Sequence, residues 1–452
     1  MLVDRRFIRC DHDKSLFPLI GIKGTGSAGY SDITMRPYVV MDFDPNVEIG
    51  TDTTYLKLGD VLSLSVASNP NLYPITWSVD NASAAMIMTG TSFLTASSQT
   101  PGKVTVTANI TVNGAITPVD TMTVYVVPVL PGEYYIETPM SLAAGQCFIE
   151  PRGTETSNQL TVNTLDFGNP DENIPAEDNR IAVTFVPEGN YGYYTLKHVV
   201  RARYLGLTGS QIALNATQVF SSQKFDIQQC TSGNYKIVTL VNSHGYVVSA
   251  ASDPTTAAGA ILTNKAYTQD QSYNDEWIFH RIMPTNGYER EYNPGDWQSN
   301  YHNCLSYAID AFVSDASISI PTDLKIIGPN GNDDNTLEDV EDARHHLLVV
   351  AEDHGFYVQE IEKYQECPNY YYKIAFFLAL EGDSVEGFHF YRQNRNGTWS
   401  HKQGTLGTVT KNDVSGSIIF DPENSDRDFP SPMKNYNLFV GYYAVNPVHY
   451  HS

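Results

Sequence analysis

Positive charge is scarce in this chain. Its 452 residues carry 28 Lys and Arg against 51 Asp and Glu, a formal net charge of −23. A polyanion is repelled by such a surface, so no nucleic-acid partner and no anionic-membrane partner is expected. Cysteine is scarce too: Cys10, Cys147, Cys230, Cys304 and Cys367 are the whole set. Five is too few for a disulfide framework at this length, an odd number leaves one thiol over, and no Cys-x-x-Cys pair points to zinc. No apolar run reaches the ~20 residues that a membrane-spanning helix needs. Residues 1–14 are charged and lack a signal-peptide core, so export by another route, or from behind a leader, is expected. Charged residues make up only 17%, while 32 Gly, 24 Pro and 29 Tyr favour turns and strands.

Length implies two to four domains, at roughly 100–200 residues each. Residues 1–44 read as an irregular segment, Gly-rich over 21–29, with a short apolar stretch at 38–41. Residues 45–129 alternate as short strands: Leu56-Lys57-Leu58, Leu62 to Val66, Ile75 to Val79 with Trp77 facing inward, Lys103 to Ala108 and Thr121 to Val127. Strands and turns at this spacing predict a β-sandwich. Pro74-Ile75-Thr76-Trp77-Ser78-Val79-Asp80-Asn81 and Gly102-Lys103-Val104-Thr105-Val106-Thr107-Ala108 resemble bacterial Ig-like modules of the invasin/intimin type. The resemblance implies a spacer or adhesive stalk on an exported protein.

Residues 130–284 hold an internal repeat. Gly132-Glu133-Tyr134-Tyr135-Ile136, Gly192-Tyr193-Tyr194-Thr195-Leu196 and Gly233-Asn234-Tyr235-Lys236-Ile237 open its three copies. The second and third continue alike, Arg203-Tyr204-Leu205-Gly206-Leu207 against His244-Gly245-Tyr246-Val247-Val248. They also close alike, Gln223-Lys224-Phe225 against Asp275-Glu276-Trp277. Three such copies resemble the ricin-type β-trefoil, whose repeats end in Gln-x-Trp with the aromatic in the barrel core. The first copy is longer and shows no such ending. The resemblance implies carbohydrate binding, with Asn274 on a sugar hydroxyl and Tyr246 as an apolar platform; a turn cap and a core tyrosine are the structural alternatives for these two.

Residues 285–452 change pattern. Thr336-Leu337-Glu338-Asp339 opens a helix, with a hydroxyl at the cap and acids in the first turn. Its apolar positions are Leu337, Val340, Leu347, Leu348 and Ala351, and Gly355 stops it. Strands at 356–361, 371–380, 388–393 and 398–402 follow, the last two joined by Asn394-Arg395-Asn396-Gly397 as a hairpin turn. Helices followed by an antiparallel sheet predict an α+β domain.

In Tyr301-His302-Asn303-Cys304-Leu305-Ser306 a loop runs into a helix at the cysteine. A thiol at a helix N-terminus feels the positive end of the dipole, which favours the thiolate that acyl transfer requires. His389 begins an apolar strand and His401 lies on the strand paired with it. One imidazole can take the thiol proton and the other can fix its tautomer. A buried structural cysteine, a half-buried strand histidine at His389 and a surface histidine at His401 beside Lys402 are the competing reading. The order Cys304, His389, His401, with His401 twelve positions after His389, resembles papain-like peptidases of the NlpC type. The wider class carries Gln six residues before the cysteine, and Gln298 stands there. The resemblance implies that its amide, with the Cys304 N–H, binds the oxyanion. Asn-Cys-Leu-Ser-Tyr departs from the family's Asp-Cys-Ser-Gly, which puts a peptidoglycan substrate in doubt. Ser400, Asp421 and Asn424 compete with His401 for the third role.

Weaker features complete the scan. Gly331-Asn332-Asp333-Asp334-Asn335 lacks a full calcium-loop pattern. His345-His346 are adjacent rather than one turn apart, so they do not suit one metal. The tail 447–452 is expected to fray. The expectation is a secreted or cell-surface multidomain protein with no cofactor. It would cleave a peptide or isopeptide bond in a peptide or glycopeptide while the trefoil holds a glycan. Acyl transfer to an amine by the same thiol, or a lectin with an inactive scaffold, are the alternatives.

Overall fold

The structure, a computed structural model, describes residues 2–8, 17–23, 47–50, 53–69, 72–112, 114–142, 145–151, 158–164, 179–215, 219–241, 246–250, 260–266, 275–292, 303–310, 339–381, 384–404, 407–430 and 434–446. Residues 1–46 and 47–452 are separate compact units. In the first, β1 (Leu2–Ile8) and β2 (Phe17–Lys23) pair antiparallel, Leu2 opposite Lys23 and Ile8 opposite Phe17. This segment is therefore not wholly irregular. A backbone ladder tolerates the charges at Asp4, Arg5 and Arg6, which masked the strand in the sequence.

The second unit begins with seven strands: β3 (Thr53–Lys57), β4 (Val61–Ser63), β5 (Thr76–Val79), β6 (Ala85–Ile87), β7 (Phe93–Ala96), β8 (Gly102–Val112) and β9 (Ala115–Val127). They form two sheets, ordered β3-β9-β8-β5 and β4-β7-β6. Period-2 alternation on β8 sends Val104, Val106 and Ala108 inward, where they meet Ala85, Leu94 and Ala96 of the smaller sheet. Trp77 is half-buried against the same core.

Twelve strands follow: β10 (Gly132–Leu142), β11 (Gly145–Pro151), β12 (Leu160–Thr164), β13 (Ile181–Val186), β14 (Tyr193–His198), β15 (Arg203–Thr208), β16 (Gln211–Leu214), β17 (Phe225–Gln229), β18 (Tyr235–Thr239), β19 (Tyr246–Ala250), β20 (Ala260–Ala266) and β21 (Ile278–Arg281). Each sequence copy supplies four. The outer two of each copy close a six-membered ring: β10 with β13, β13 with β14, β14 with β17, β17 with β18, Tyr235 of β18 with Trp277 just ahead of β21, and β21 back to β10. The inner two pair as hairpins, which touch one another through β12–β20 and β16–β20. A closed ring capped by three hairpins is the β-trefoil.

The threefold register also locates the ending that the first copy conceals. Tyr134, Tyr194 and Tyr235 each stand two residues after the opening glycine. They pair with Ile181, Phe225 and Trp277. All three partners are buried in one core, so Asn179-Arg180-Ile181 is the first copy's counterpart of Gln223-Lys224-Phe225. An aliphatic residue in the aromatic place hid it.

The last part contains α1 (Cys304–Ala308), α2 (Asp339–His354) and six strands: β22 (Tyr357–Ile361), β23 (Tyr372–Glu381), β24 (Ser384–Gln393), β25 (Trp399–Lys402), β26 (Val409–Thr410) and β27 (Leu438–Asn446). The sheet is antiparallel, ordered β22-β27-β23-β24-β25-β26. Central β27 lies outside the strands expected from the sequence. Its near-continuous apolar run, buried on both faces, gives no alternation to read. Among the described side chains of α2, Ala343, Leu347 and Ala351, one turn apart, are buried, whereas Leu348 is 47% exposed and leaves the expected apolar stripe. Gly355, at φ +71°, ends the helix. Thr336, Leu337, the 331–335 loop and the 447–452 tail lie outside the described residues.

Candidate functional site

Alternation on β24 sets the stage. Phe388 and Phe390 face the cluster that holds α1, α2 and Phe376, with the Phe376 and Phe390 rings stacked at 4.4 Å. His389 and Tyr391 turn to the opposite face, toward Phe377, Phe429 and Tyr436. On β25, His401 lies across from Tyr391, which puts it diagonally next to His389. The two imidazoles meet there, His389 Nε2 to His401 Nδ1 at 2.8 Å.

The tautomers follow from the partners. His401 Nε2 lies 3.3 Å from the Asn412 carbonyl, which only accepts, so this nitrogen carries the proton. His401 Nδ1 then accepts from His389 Nε2. This leaves Nδ1 of His389 as the lone-pair nitrogen, the form a general base requires. Burial, and then the neighbouring His401, hold His389 well below the usual imidazole value. Burial takes His401 down to about 4, against the opposing pull of the Asn412 carbonyl and of Asp413. Both rings are therefore neutral at neutral pH. Tyr436 covers the His389 ring at 4.6 Å and 22°, and Phe429 lies 5.4 Å from His401.

Cys304 is the first residue of α1. Asn303 caps the helix, its side chain accepting from the Ser306 amide at 3.0 Å. The thiol donates to the Phe388 carbonyl at 3.9 Å, and the Phe390 amide also addresses it. These two groups flank His389 and leave the strand on one side. The sulfur thus lies against the main chain of His389, where β24 runs on past its Tyr391–Gln393 pairing with β25. Among the described residues, the thiol's hydrogen bond goes to this backbone and not to the imidazole.

One expectation needs correction. The helix terminus was expected to favour thiolate. Instead, burial pushes the Cys304 thiol up to about 12, against the opposing pull of nearby amides and of Lys402. A five-residue helix offers little dipole, and Cys304 is only 4% exposed. At rest the pair is a neutral thiol and a neutral imidazole.

The three competitors for the third role are occupied elsewhere. Ser400 donates to Asn394 at 2.7 Å and meets the Tyr307 hydroxyl at 2.6 Å. Asp421 pairs with Lys363 at 2.6 Å, and Asn424 donates to Asp421 at 2.6 Å. His401 is the candidate bonded to His389. Lys402 and Tyr436, buried beside the thiol, escaped the sequence reading, because neither residue type signals a site by itself. Gln298 lies outside the described residues, as does Asn274. Tyr246 begins β19 opposite Ala266 and is half-buried. Cys230, Cys304 and Cys367 are free thiols. Among the described residues no group of three His, Cys, Asp or Glu side chains could hold a metal ion, and no helix is long and apolar enough to cross a membrane.

No protein-family profile matches the chain. Over 71 residues it is 44% identical to Insoluble matrix shell protein 1 of Ruditapes philippinarum, covering 16% of this chain and 43% of that protein. The chain thus spans less than half the length of this curated relative. Among solved structures it is similar to the designed threefold-symmetric protein ThreeFoil (TM-score 0.26, 14% identity, 33% of this chain and 97% of that one). It is also similar to SeviL bound to asialo-GM1 saccharide (0.24, 16%, 33% and 97%) and to a proteinase inhibitor from Coprinopsis cinerea (0.26, 12%, 33% and 97%). The trefoil architecture itself stands on the strand pairings of this chain.

Proposed function

We propose that this protein works outside the cell as a glycan-binding protein, with the trefoil as its binding module. The observation that carries this reading is the closed six-strand ring, capped by three hairpins, that three sequence copies build. Its repeat endings, Ile181, Phe225 and Trp277, are spent on the core, which leaves the hairpins to recognise a ligand. Tyr246, half-buried on β19, is the apolar platform, and Asn274 is its polar partner. The sandwich, with its Ig-like sequence, is the spacer. A relative named for an insoluble shell matrix supports an extracellular setting. Full-length protein on a glycan array should retain at least one sugar class, and Tyr246→Ala should weaken that binding about tenfold, or about 1.4 kcal/mol. An array with no hits, or a Tyr246→Ala protein that binds as the parent does, would sink this reading.

A second reading is favoured by the neutral, oriented His389 beside Cys304: a cysteine hydrolase for amide bonds. Cys304 Sγ attacks the carbonyl carbon as His389 Nδ1 takes the thiol proton, and His401 holds the resulting imidazolium. That proton passes to the leaving amine, and water, or an acceptor amine in the transferase variant, then cleaves the thioester. Gln298 and the Cys304 amide bind the oxyanion. A buried thiol of high pKa is a resting state that substrate would have to tighten, as catalytic hydrogen bonds commonly do on binding. Peptide and glycopeptide libraries incubated with the parent should yield products that Cys304→Ala does not form. Equal turnover by both proteins removes the enzyme reading.

A further inference from the structure

The hairpin that carries both histidines is gripped at its turn by the trefoil. Gly397, at φ +84°, leaves no room for a side chain: a Cβ there would collide with Ile282 and come within 3.6 Å of the Arg180 side chain. Tyr135 of β10 donates its hydroxyl to the Asn396 carbonyl at 3.0 Å. Behind it, Tyr135, Phe148, Ile282 and Phe420 form one buried cluster.

From that turn a chain of hydrogen bonds leads to the thiol helix, with every donor and acceptor assigned. Arg392 donates to the Tyr307 hydroxyl at 3.1 Å, and Tyr307 donates to Ser400 at 2.6 Å. Ser400 donates to Asn394 at 2.7 Å, Asn394 to Thr398 at 3.2 Å, and Thr398 to the Asn396 side chain at 2.8 Å. Tyr307 belongs to α1, one turn after Cys304. Ser400, Asn394 and Thr398 are at most 1% exposed, so a broken link leaves a polar group buried without its partner.

We infer that the first trefoil copy is a working part of the thiol site: Tyr135, Asn394 and Ser400 are positioning residues that hold α1, and with it Cys304, down against β24. The trefoil then does more than tether a substrate, because its docking sets the solvent access of the sulfur. The inference rests on the reading of Cys304 and His389 as a reactive pair only for its functional meaning; the mechanical coupling is measured separately. The titratable groups that act on the sulfur are Lys402 on β25 and Tyr436 ahead of β27, and His389 is carried by the stretch of β24 against which the sulfur rests. None is a link of the chain, so they act alike in parent and variants.

The test is the rate of iodoacetamide labelling of the Cys304 peptide, read by mass spectrometry on full-length protein from pH 6 to pH 10. Tyr135→Phe and Ser400→Ala each free α1, so labelling at neutral pH should rise about fivefold, the equivalent of one buried hydrogen bond, and its pH midpoint should fall toward the ordinary thiol value. Ser400→Thr keeps the hydroxyl and should label like the parent. The double variant Tyr135→Phe/Ser400→Ala should label no faster than the faster single variant, because both cut one path. Parental labelling in both single variants, or effects that multiply in the double variant, overturns the inference. His389→Ala judges the reactive-pair reading independently: if its labelling profile matches the parent while Tyr135→Phe still shifts, the pairing fails and the coupling stands.

Discussion

At the scale of single residues, the site is governed by desolvation. His389 and His401 are 1% and 0% exposed, and both titrate below a free imidazole. An unfolded chain would take up their protons near pH 6.5, whereas the folded chain resists until about pH 4 at His401. The unfolded state therefore binds more protons in between, and stability must be lost as pH falls through this window. Urea unfolding should show a midpoint that drops between pH 7 and pH 5, with a shallower drop in His401→Gln. A drop of equal size in the variant would mean that His401 is not buried neutral. The sequence offered Cys304, His389 and His401 as candidates but gave neither the final pairing nor the charge state. Motif spacing carries no record of burial, and burial overrode the helix dipole at Cys304.

At the scale of elements, the repeat openings are the firmest link between sequence and fold. Gly132, Gly192 and Gly233 all have positive φ, and each is followed two residues later by a barrel tyrosine. Gly192 is the most constrained: at φ +144°, an added Cβ would collide with the Val186 carbonyl and lie 2.7 Å from the Phe185 ring. Gly192→Ala should lower trefoil stability by about 1–3 kcal/mol, measured by denaturant unfolding. Gly233→Ala should cost less, since nothing lies within 4 Å of its added carbon. Equal losses at the two positions would contradict this threefold register. The repeats were legible because glycine and tyrosine recur at fixed offsets. The first ending was not, because Ile181 fills with aliphatic bulk the place that Phe225 and Trp277 fill with rings.

At the scale of the molecule, the trefoil and the last sheet are joined rather than strung on a linker. His280 stacks on Phe420 at 4.4 Å, Gln146 accepts from the Ile418 amide at 2.7 Å, and Arg180 reaches both Glu133 and Thr285 at 2.8 Å. The sandwich joins the trefoil as well, through Tyr55 and Tyr125 against Phe185 and through Val129 against the Tyr194 hydroxyl. Phe420→Ala empties the centre of the first of these joints. It should cost about 3–5 kcal/mol and split thermal unfolding by calorimetry into two transitions. A single, unshifted transition would show that the two parts are coupled elsewhere.

The sequence by itself determined the strand-rich composition, the threefold repeat and the order of thiol and imidazoles, because strand alternation, turn residues and repeat period are local properties of a chain. Only the tertiary structure decided that His401 is the partner of His389, that the thiol rests neutral against the strand, and that a trefoil tyrosine reaches the turn of the histidine hairpin. Those outcomes depend on which surfaces exclude water together. Residues as far apart as Tyr135 and Asn396 acquire a common environment only when the chain has folded.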